Sequence, residues 1–217
     1  MRVVALVPVK LHSQRLANKN ILPLNGKPLC WHICNTLNSV EAIDEVYVYC
    51  SDERIREYIP EDVSFLKRDI ALDGDSVKGF DIYNSFIREV DADVYVLAHT
   101  TSPFIRKETL EKATLNVVQG KNDSSFSARR IQTFAWYKNE PINYDLNDVP
   151  RTQDMEPVWE ETSGFYIFKK EIFTEKHRRI GFNPYIAEVK GAEAIDIDEA
   201  EDYEMACFYA SKEVENG

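Results

Sequence analysis

No Cys-x-x-Cys pair occurs in this sequence. Its four cysteines, Cys30, Cys34, Cys50 and Cys207, stand apart, and no histidines flank them at zinc spacing. A thiolate metal centre and a disulfide scaffold are both set aside. Cys30 and Cys34 are four positions apart, which places them on one helix face as core filling. Missing too is any apolar run long enough to span a bilayer. The opening Met1-Arg2-Val3-Val4-Ala5-Leu6-Val7-Pro8 is too short in its apolar part for a secretory leader and reads as a buried first strand. A reducing, cytoplasmic setting with no membrane partner is expected. Nor is there a basic surplus: 26 Lys and Arg stand against 37 Asp and Glu, a net charge of −11 over 217 residues. That balance argues against nucleic acid as a partner, because such binding relies on a basic surface. It leaves room for a small anionic substrate, since a local cluster of cations can oppose the global sign. No internal repeat or low-complexity tract is present.

What the chain does have is alternation. Val3 to Val7, Val46 to Tyr49 and Val94 to Leu97 are β-branched or aromatic runs, with Val63 to Leu66 a weaker one. Helical stretches lie between them at Pro28 to Val40, Asp52 to Tyr58, Val77 to Val90 and Lys107 to Val118. Strands alternating with helices predict right-handed crossovers and a mainly parallel sheet covered on both faces, in one α/β domain over residues 1–217. Ligands then bind beyond the carboxyl ends of the strands. From Arg129 to Glu161 the alternation stops, and the segment carries Trp136, Tyr137, Tyr144, Trp159 and three prolines. A stretch of that length is expected to be an arm or hairpin that packs on something else. The pattern resumes at Gly164 to Phe168 and closes with a helix from about Glu199 to Ala210.

The first loop, Pro8 to Asn20, follows a hydrophobic strand and holds Lys10, Ser13, Arg15, Lys19 and Asn20. Cations there offset the charge of a triphosphate, while hydroxyl, amide and backbone N–H groups donate to it. It is not a Walker loop, because no Gly-Lys-Ser/Thr closes it. A plain solvated basic loop is the other reading. Near the end of the chain, Asp196 and Asp198 flank Ile197, and in a strand such residues share a face. Neighbouring carboxylates repel unless a cation lies between them, and hard oxygen ligands beside phosphates suit magnesium. The same segment also reads as a helix start with Asp198 as its cap.

Pro8-x-Lys10-x-x-Ser13-x-Arg15-Leu16-x-x-Lys19-Asn20, followed by Leu24-Asn25-Gly26-Lys27-Pro28-Leu29, resembles the opening of the CMP-sugar-acid synthetases. These are the CMP-sialic acid and CMP-3-deoxy-manno-octulosonate synthetases. Further matches follow in order: Lys67-Arg68 to Asp75-Ser76, then Thr101-Ser102-Pro103 to Arg106, then Arg151-Thr152-Gln153 with the later Gly164-Phe165-Tyr166, and last Asp196-Ile197-Asp198 to Asp202-Tyr203. The resemblance covers nearly the whole chain. It implies a Rossmann-like nucleotide-diphospho-sugar transferase fold with a small protruding arm, and homodimers formed through residues 129–161. It implies transfer of CMP from CTP to a sialic-acid-like 2-keto sugar acid with Mg2+. Lys10, Ser13, Arg15, Lys19, Asn20 and Arg68 are then nucleotide-binding. Lys19, Asp196 and Asp198 are catalytic, and the two aspartates hold the metal. His99, Thr101, Ser102, Arg151, Gln153 and Tyr166 contact the acceptor, with Arg151 matching its carboxylate by two parallel hydrogen bonds. Asp75-Ser76 is read as the cap of the helix that follows.

The chain departs from the family at Lys10, where arginine is usual, and at Leu11 and His12, where glycine is frequent. Gly79 stands where a serine often serves the cytidine, and His99 where glutamine is common. Two other readings therefore stay open: a sugar-1-phosphate nucleotidyltransferase of the same fold, and a catalytically silent nucleotide-binding relative.

Overall fold

The computed structural model describes residues 1–12 and 16–216. Strand β1 (Val3–Pro8) is apolar on both faces and buried over five of its six residues, as a central parallel strand must be. Two short strands, β2 (Pro23–Leu24) and β3 (Lys27–Pro28), form a hairpin over Asn25 and Gly26. Both turn residues have positive φ, 47° and 74°, which is why an Asn-Gly pair sits there. Helix α1 (Leu29–Asn38), β4 (Glu45–Cys50), β5 (Ser64–Lys67), α2 (Gly79–Glu89), β6 (Val94–Ala98) and α3 (Lys107–Val118) follow. Next come β7 (Ser124–Ile131) and the two-residue strands β8 (Trp136–Tyr137) and β9 (Glu140–Pro141). The long β10 (Val158–Lys169), α4 (Lys170–Thr174), β11 (Pro184–Glu188) and α5 (Ala200–Asn216) complete the chain.

Seven strands form one sheet in the order β11-β7-β10-β6-β1-β4-β5. Strand β10 runs antiparallel to β6 and β7, and the other pairings are parallel. Successive residues of β1 face two helical layers. Val3, Ala5 and Val7 pack with Cys30, Ile33 and Cys34 of α1 and with Leu110 and Ala113 of α3. Val4 and Leu6 face Tyr83, Phe86 and Ile87 of α2 and Phe173 of α4. Burying each large apolar side chain contributes about 1.5–3 kcal/mol, so both layers are held firmly to the sheet. Helix α5 closes a third cluster over Leu24, Leu29 and Ile197. Among the described residues no helix is long and apolar enough to cross a membrane.

The structure corrects several local expectations. The stretch after Asp52 is a 3-10 turn (Glu53–Tyr58) in which the Asp52 carboxylate accepts from Arg54 N–H at 3.0 Å. Helix α2 begins at Gly79, and the carboxylate reaching back is Asp81, which accepts from Lys78 N–H at 3.1 Å. Asp75 instead pairs with Lys10 at 3.4 Å. Asp196-Ile197-Asp198 is not a strand but an extended connection between a 3-10 turn (Gly191–Ala194) and α5, tied down by Ile197 N–H to Thr101 O at 2.8 Å. Alternation still holds there, burying Ile197 and leaving the two carboxylates on the opposite side. In residues 129–161, expected to be an arm or hairpin, the chain is largely extended. Strands β7 and β10 run on as a ribbon, pairing Ala128 with Glu161 and Ile131 with Val158, and the β8–β9 hairpin extends from it.

Candidate active site

A cleft of about 540 Å3 opens where β1, β4, β5 and β6 end, lined by Lys10, Lys19, Asn20, Arg68, Asp73, Tyr83 and His99 among others. From β1 the sheet steps to β4 and β5 on one side and to β6 on the other. Such a reversal leaves a gap between diverging loops, the usual ligand position in parallel α/β sheets.

At one end of the cleft the cations Lys10 and Arg68 converge on Asp73. Arg68 is buried, and its Nη2 donates to Asp73 Oδ1 at 2.5 Å while Nη1 donates to Tyr49 O at 3.3 Å. Ser51 Oγ donates to the other Asp73 oxygen at 2.5 Å, and Lys10 Nζ to the Asp73 carbonyl at 2.5 Å. Arg68 Nε is buried with no hydrogen-bond partner. An unmet donor on a guanidinium is costly, and this one belongs to a residue that lines the cleft.

In the middle, Lys19 Nζ pairs with Asp198 Oδ1 at 2.9 Å. Asp202 helps cap the start of α5, since its carboxylate accepts from the N–H groups of Asp198 (3.0 Å) and Glu199 (2.8 Å). Among the described residues, Asp196 Oδ1 is buried and has no hydrogen-bond partner. Burying a carboxylate oxygen unsatisfied is unfavourable, and a hard cation between the two aspartates would remove that cost. The donor set therefore fits magnesium, which takes one or two protein carboxylates plus substrate oxygens. Buried Glu193 fixes the segment in place, accepting from Arg106 N–H at 3.0 Å, Arg106 Nη2 at 2.6 Å and Thr109 Oγ1 at 2.7 Å.

At the far end stand His99, Tyr83 and Tyr166. A slip in the β7–β10 ladder between Glu161 and Tyr166 and a left-handed Ser163 (φ 56°) form a bulge. It turns two carbonyls toward His99: Ser163 O lies 2.5 Å from Nδ1, and Gly164 O accepts from the His99 backbone N–H at 3.1 Å. A carbonyl only accepts, so Nδ1 carries the proton. Dense packing pushes the imidazole pKa down, and Arg179 adds to this, although part of the ring faces the cleft. The ring is neutral, and its Nε2 lone pair lies 3.4 Å from the Tyr83 hydroxyl. Burial raises the pKa of Tyr83, and raises that of Tyr166 to about 12, so both phenols keep their protons. Tyr166 donates to Glu161 Oε2 at 2.8 Å and accepts from Arg179 Nη2 at 3.0 Å.

Lys10, Lys19, Asn20, Arg68 and His99 are thus brought together, with Asp198 joined through Lys19. Ser13 and Arg15 lie outside the described residues. Asn20 is a strut: its amide donates to Lys10 O at 2.7 Å, and its oxygen accepts from Thr100 Oγ1 at 2.5 Å. Thr101 serves through its carbonyl, as above. Ser102 is buried and sits behind Gly164, where an added Cβ would meet its Oγ at 3.3 Å, so it stands in the cleft's wall rather than its lumen. Arg151 and Gln153 are exposed on the arm, where Arg151 Nε donates to Asp154 at 2.7 Å, and neither is among the described residues lining the cleft. Sequence reasoning missed Asp73, Tyr83 and Arg179. Tyr83 was reachable, lying one helical turn after Gly79 on the same face. Arg179 follows no strand end and matches no motif.

A profile of the family described as Cytidylyltransferase matches residues 4–213. The chain belongs to the cytidylyltransferase family. It is similar to N-acylneuraminate cytidylyltransferase of Streptococcus agalactiae serotype V, at 23% identity over 232 residues covering 100% of this chain and 56% of that protein. It is also similar to N-acylneuraminate cytidylyltransferase A of Danio rerio, at 27% identity covering 94% of this chain and 50% of that one. The chain spans about half the length of these two relatives. In fold this cytidylyltransferase-family chain is similar to a solved CMP:2-keto-3-deoxy-manno-octonic acid synthetase complexed with CTP. The TM-score is 0.76 at 17% identity, covering 98% of this chain and 100% of that one. The Rossmann-like transferase architecture expected from the sequence is present.

Proposed function

We propose that this chain binds CTP and transfers its CMP unit to the anomeric hydroxyl of a sialic-acid-like 2-keto sugar acid, releasing pyrophosphate. The observation that carries this reading is the Lys19–Asp198 pair beside the unpartnered Asp196 oxygen, set between a cationic end of the cleft and a polar aromatic end. Family membership supports CTP as the donor. The names of the neuraminate and octonic acid relatives support a sugar-acid acceptor.

In the reaction the acceptor hydroxyl oxygen attacks the α-phosphorus. The new O–P bond forms as the bridging α–β bond breaks, and pyrophosphate leaves with the electron pair. Positioning and charge neutralisation do most of the work in such transfers. Lys10 and Arg68 hold the nucleotide, and Lys19 offsets phosphate charge while fixing Asp198. Asp196 and Asp198 are the residues that would hold magnesium, which when bound would supply positive charge to the α-phosphate and acidify the attacking hydroxyl. His99 and Tyr83 present neutral hydrogen-bonding groups to the acceptor. The apolar surface of the arm pairs two copies of the chain. Three buried free thiols, Cys30, Cys34 and Cys50, suit a reducing cytoplasm.

The test is to incubate the protein with magnesium, each of the four ribonucleoside triphosphates and a panel of 2-keto sugar acids, reading pyrophosphate. Release with CTP and one acid is expected. Release with a sugar 1-phosphate instead would make the chain a sugar-1-phosphate nucleotidyltransferase. CTP binding with no release from any acceptor would make it a silent relative.

A further inference from the structure

The cleft's far end needs a cation if the acceptor is an acid, and two residues that might have supplied one do not. His99 is neutral, and Arg151 is engaged on the arm. Among the described residues, Arg179 is a cation next to that end, packed against Tyr166 with its side chain 39% exposed. Its guanidinium lies over the Tyr166 ring with Cζ 3.8 Å from the centroid, and its Nη2 donates to the Tyr166 hydroxyl at 3.0 Å. Its positive charge is felt by the Tyr83 hydroxyl, which lines the cleft. Its nearest carboxylate, Glu161, is 3.7 Å away, a looser pairing than the 2.5 Å of Arg68 with Asp73 or the 2.9 Å of Lys19 with Asp198.

The segment that carries Arg179 is anchored just beyond it. Asp123 Oδ2 accepts from Phe182 N–H at 2.6 Å and Asn183 N–H at 3.0 Å, and Gly181 N–H donates to Ser124 Oγ at 2.7 Å. Gly181 is required for that approach, because a Cβ there would lie 2.3 Å from Asp123 Oδ1. A guanidinium has five donors in a planar fork, suited to two parallel bonds with a carboxylate. Stacking on the Tyr166 ring and bonding to its hydroxyl means that less side-chain entropy remains to be lost when the anion arrives.

We propose that Arg179 is the acceptor-recognition residue of this site, binding the carboxylate that every 2-keto sugar acid carries next to its anomeric carbon. This rests on the sugar-acid reading above. The test is calorimetric titration, with CTP present and magnesium omitted so that nothing turns over. The titrants are N-acetylneuraminic acid and 3-deoxy-manno-octulosonic acid, each beside its uncharged carboxamide. The wild-type chain should prefer at least one acid to its amide by roughly ten- to hundredfold, the worth of a charge-assisted pair. Arg179→Met should lose that preference while keeping its affinity for CTP, which also reports that the nucleotide end is folded. Arg179→Lys should regain part of it, and Arg151→Met should keep it. Retention of the preference in Arg179→Met, or its loss in Arg151→Met, overturns the assignment and leaves the sugar-acid reading standing. If the wild-type chain prefers neither acid to its amide, both fall together.

Discussion

Lys19 Nζ and Asp198 Oδ1 lie 2.9 Å apart although 179 positions separate them in the chain. The pair ties the loop after β1 to the segment before α5. Lys19 keeps only 10% of its side-chain exposure and Asp198 keeps 36%. Asp198→Ala therefore does two things. On the proposed function it removes a magnesium ligand, so magnesium-dependent pyrophosphate release should fall at least a hundredfold, about the scale of losing one electrostatic stabiliser. It also leaves Lys19 unpaired, at about 1–2 kcal/mol of stability once partial exposure is allowed for. Urea unfolding and pyrophosphate assays measure the two effects separately. Full activity in the variant would remove Asp198 from the metal site. EDTA applied to the wild-type chain should reproduce the activity loss without the stability loss.

Gly79 and Tyr83 make a second pair that one substitution can test. A Cβ built on Gly79 would sit 2.7 Å from the Tyr83 hydroxyl, so any larger residue there pushes the ring away from His99. Gly79→Ser should destabilise the fold by roughly 1–3 kcal/mol, the range for overpacking. It should also raise the KM for the acceptor more than that for CTP. Adding Tyr83→Phe removes the colliding oxygen and should recover part of the stability. If Gly79→Ser unfolds at the same denaturant concentration as the wild-type chain, Tyr83 does not fill that space.

Much of this arrangement was legible in the sequence. Strands β1, β4 and β6 are buried on both faces, so they read as unbroken apolar runs, and α3 has the boundaries its pattern predicts. Lys10 was legible because it follows a strand's carboxyl end, and Arg68 and His99 because the family resemblance singles them out; all three line the cleft. Strand β7 was not legible, because Ser124, Ser125 and Ser127 look like loop residues. They are buried, and Ser124 and Ser127 are bonded to distant partners such as Gly181 and Thr162. Asn20 lines the cleft as expected of a nucleotide-binding residue, and its amide also bonds Lys10 and Thr100, contacts that local sequence does not announce. Arg179 owes its place to Tyr166 and to the Asp123 anchor, contacts that no local pattern encodes.

His99 gives the chain a pH dependence of known sign. The groups around it are Tyr83 of α2, Tyr166 of β10, and Arg179, Asp196 and Lys19 from three connecting segments, and its pKa is lowered from 6.5 chiefly by burial. The unfolded chain then binds more protons than the native one as pH drops through that range. The contribution is complete above the unfolded value of 6.5 and is lost as pH falls toward the depressed native pKa. The melting temperature should therefore fall between about pH 7.5 and about pH 5.5, and His99→Gln should flatten that slope. Acceptor binding should weaken only at lower pH, as the native ring itself protonates below 6.5, because protonation removes the Nε2 lone pair and sets a positive charge near Arg179. An equally steep stability slope in His99→Gln would assign the effect to other groups.

The arm leaves an apolar surface uncovered in the single chain: Trp136 is 53% exposed, Tyr137 64% and Ile142 56%. These side chains are held in place rather than loose. Trp136 Nε1 donates to the Tyr144 hydroxyl at 2.9 Å, and Phe134 packs on Tyr144 with centroids 4.6 Å apart. Exposed aromatic residues on a rigid ribbon are what a protein–protein interface core is made of, and a second copy is the partner the dimer proposal assigns. Light scattering should give about twice the 25.1 kDa chain mass for the wild type. Trp136→Glu should return a single-chain mass, because two carboxylates would then face each other in an apolar interface. Far-ultraviolet circular dichroism should stay unchanged, since Trp136 lies outside the buried clusters of the sheet. A wild-type chain that stays monomeric at assay and at millimolar concentrations alike would leave the ribbon without its proposed partner.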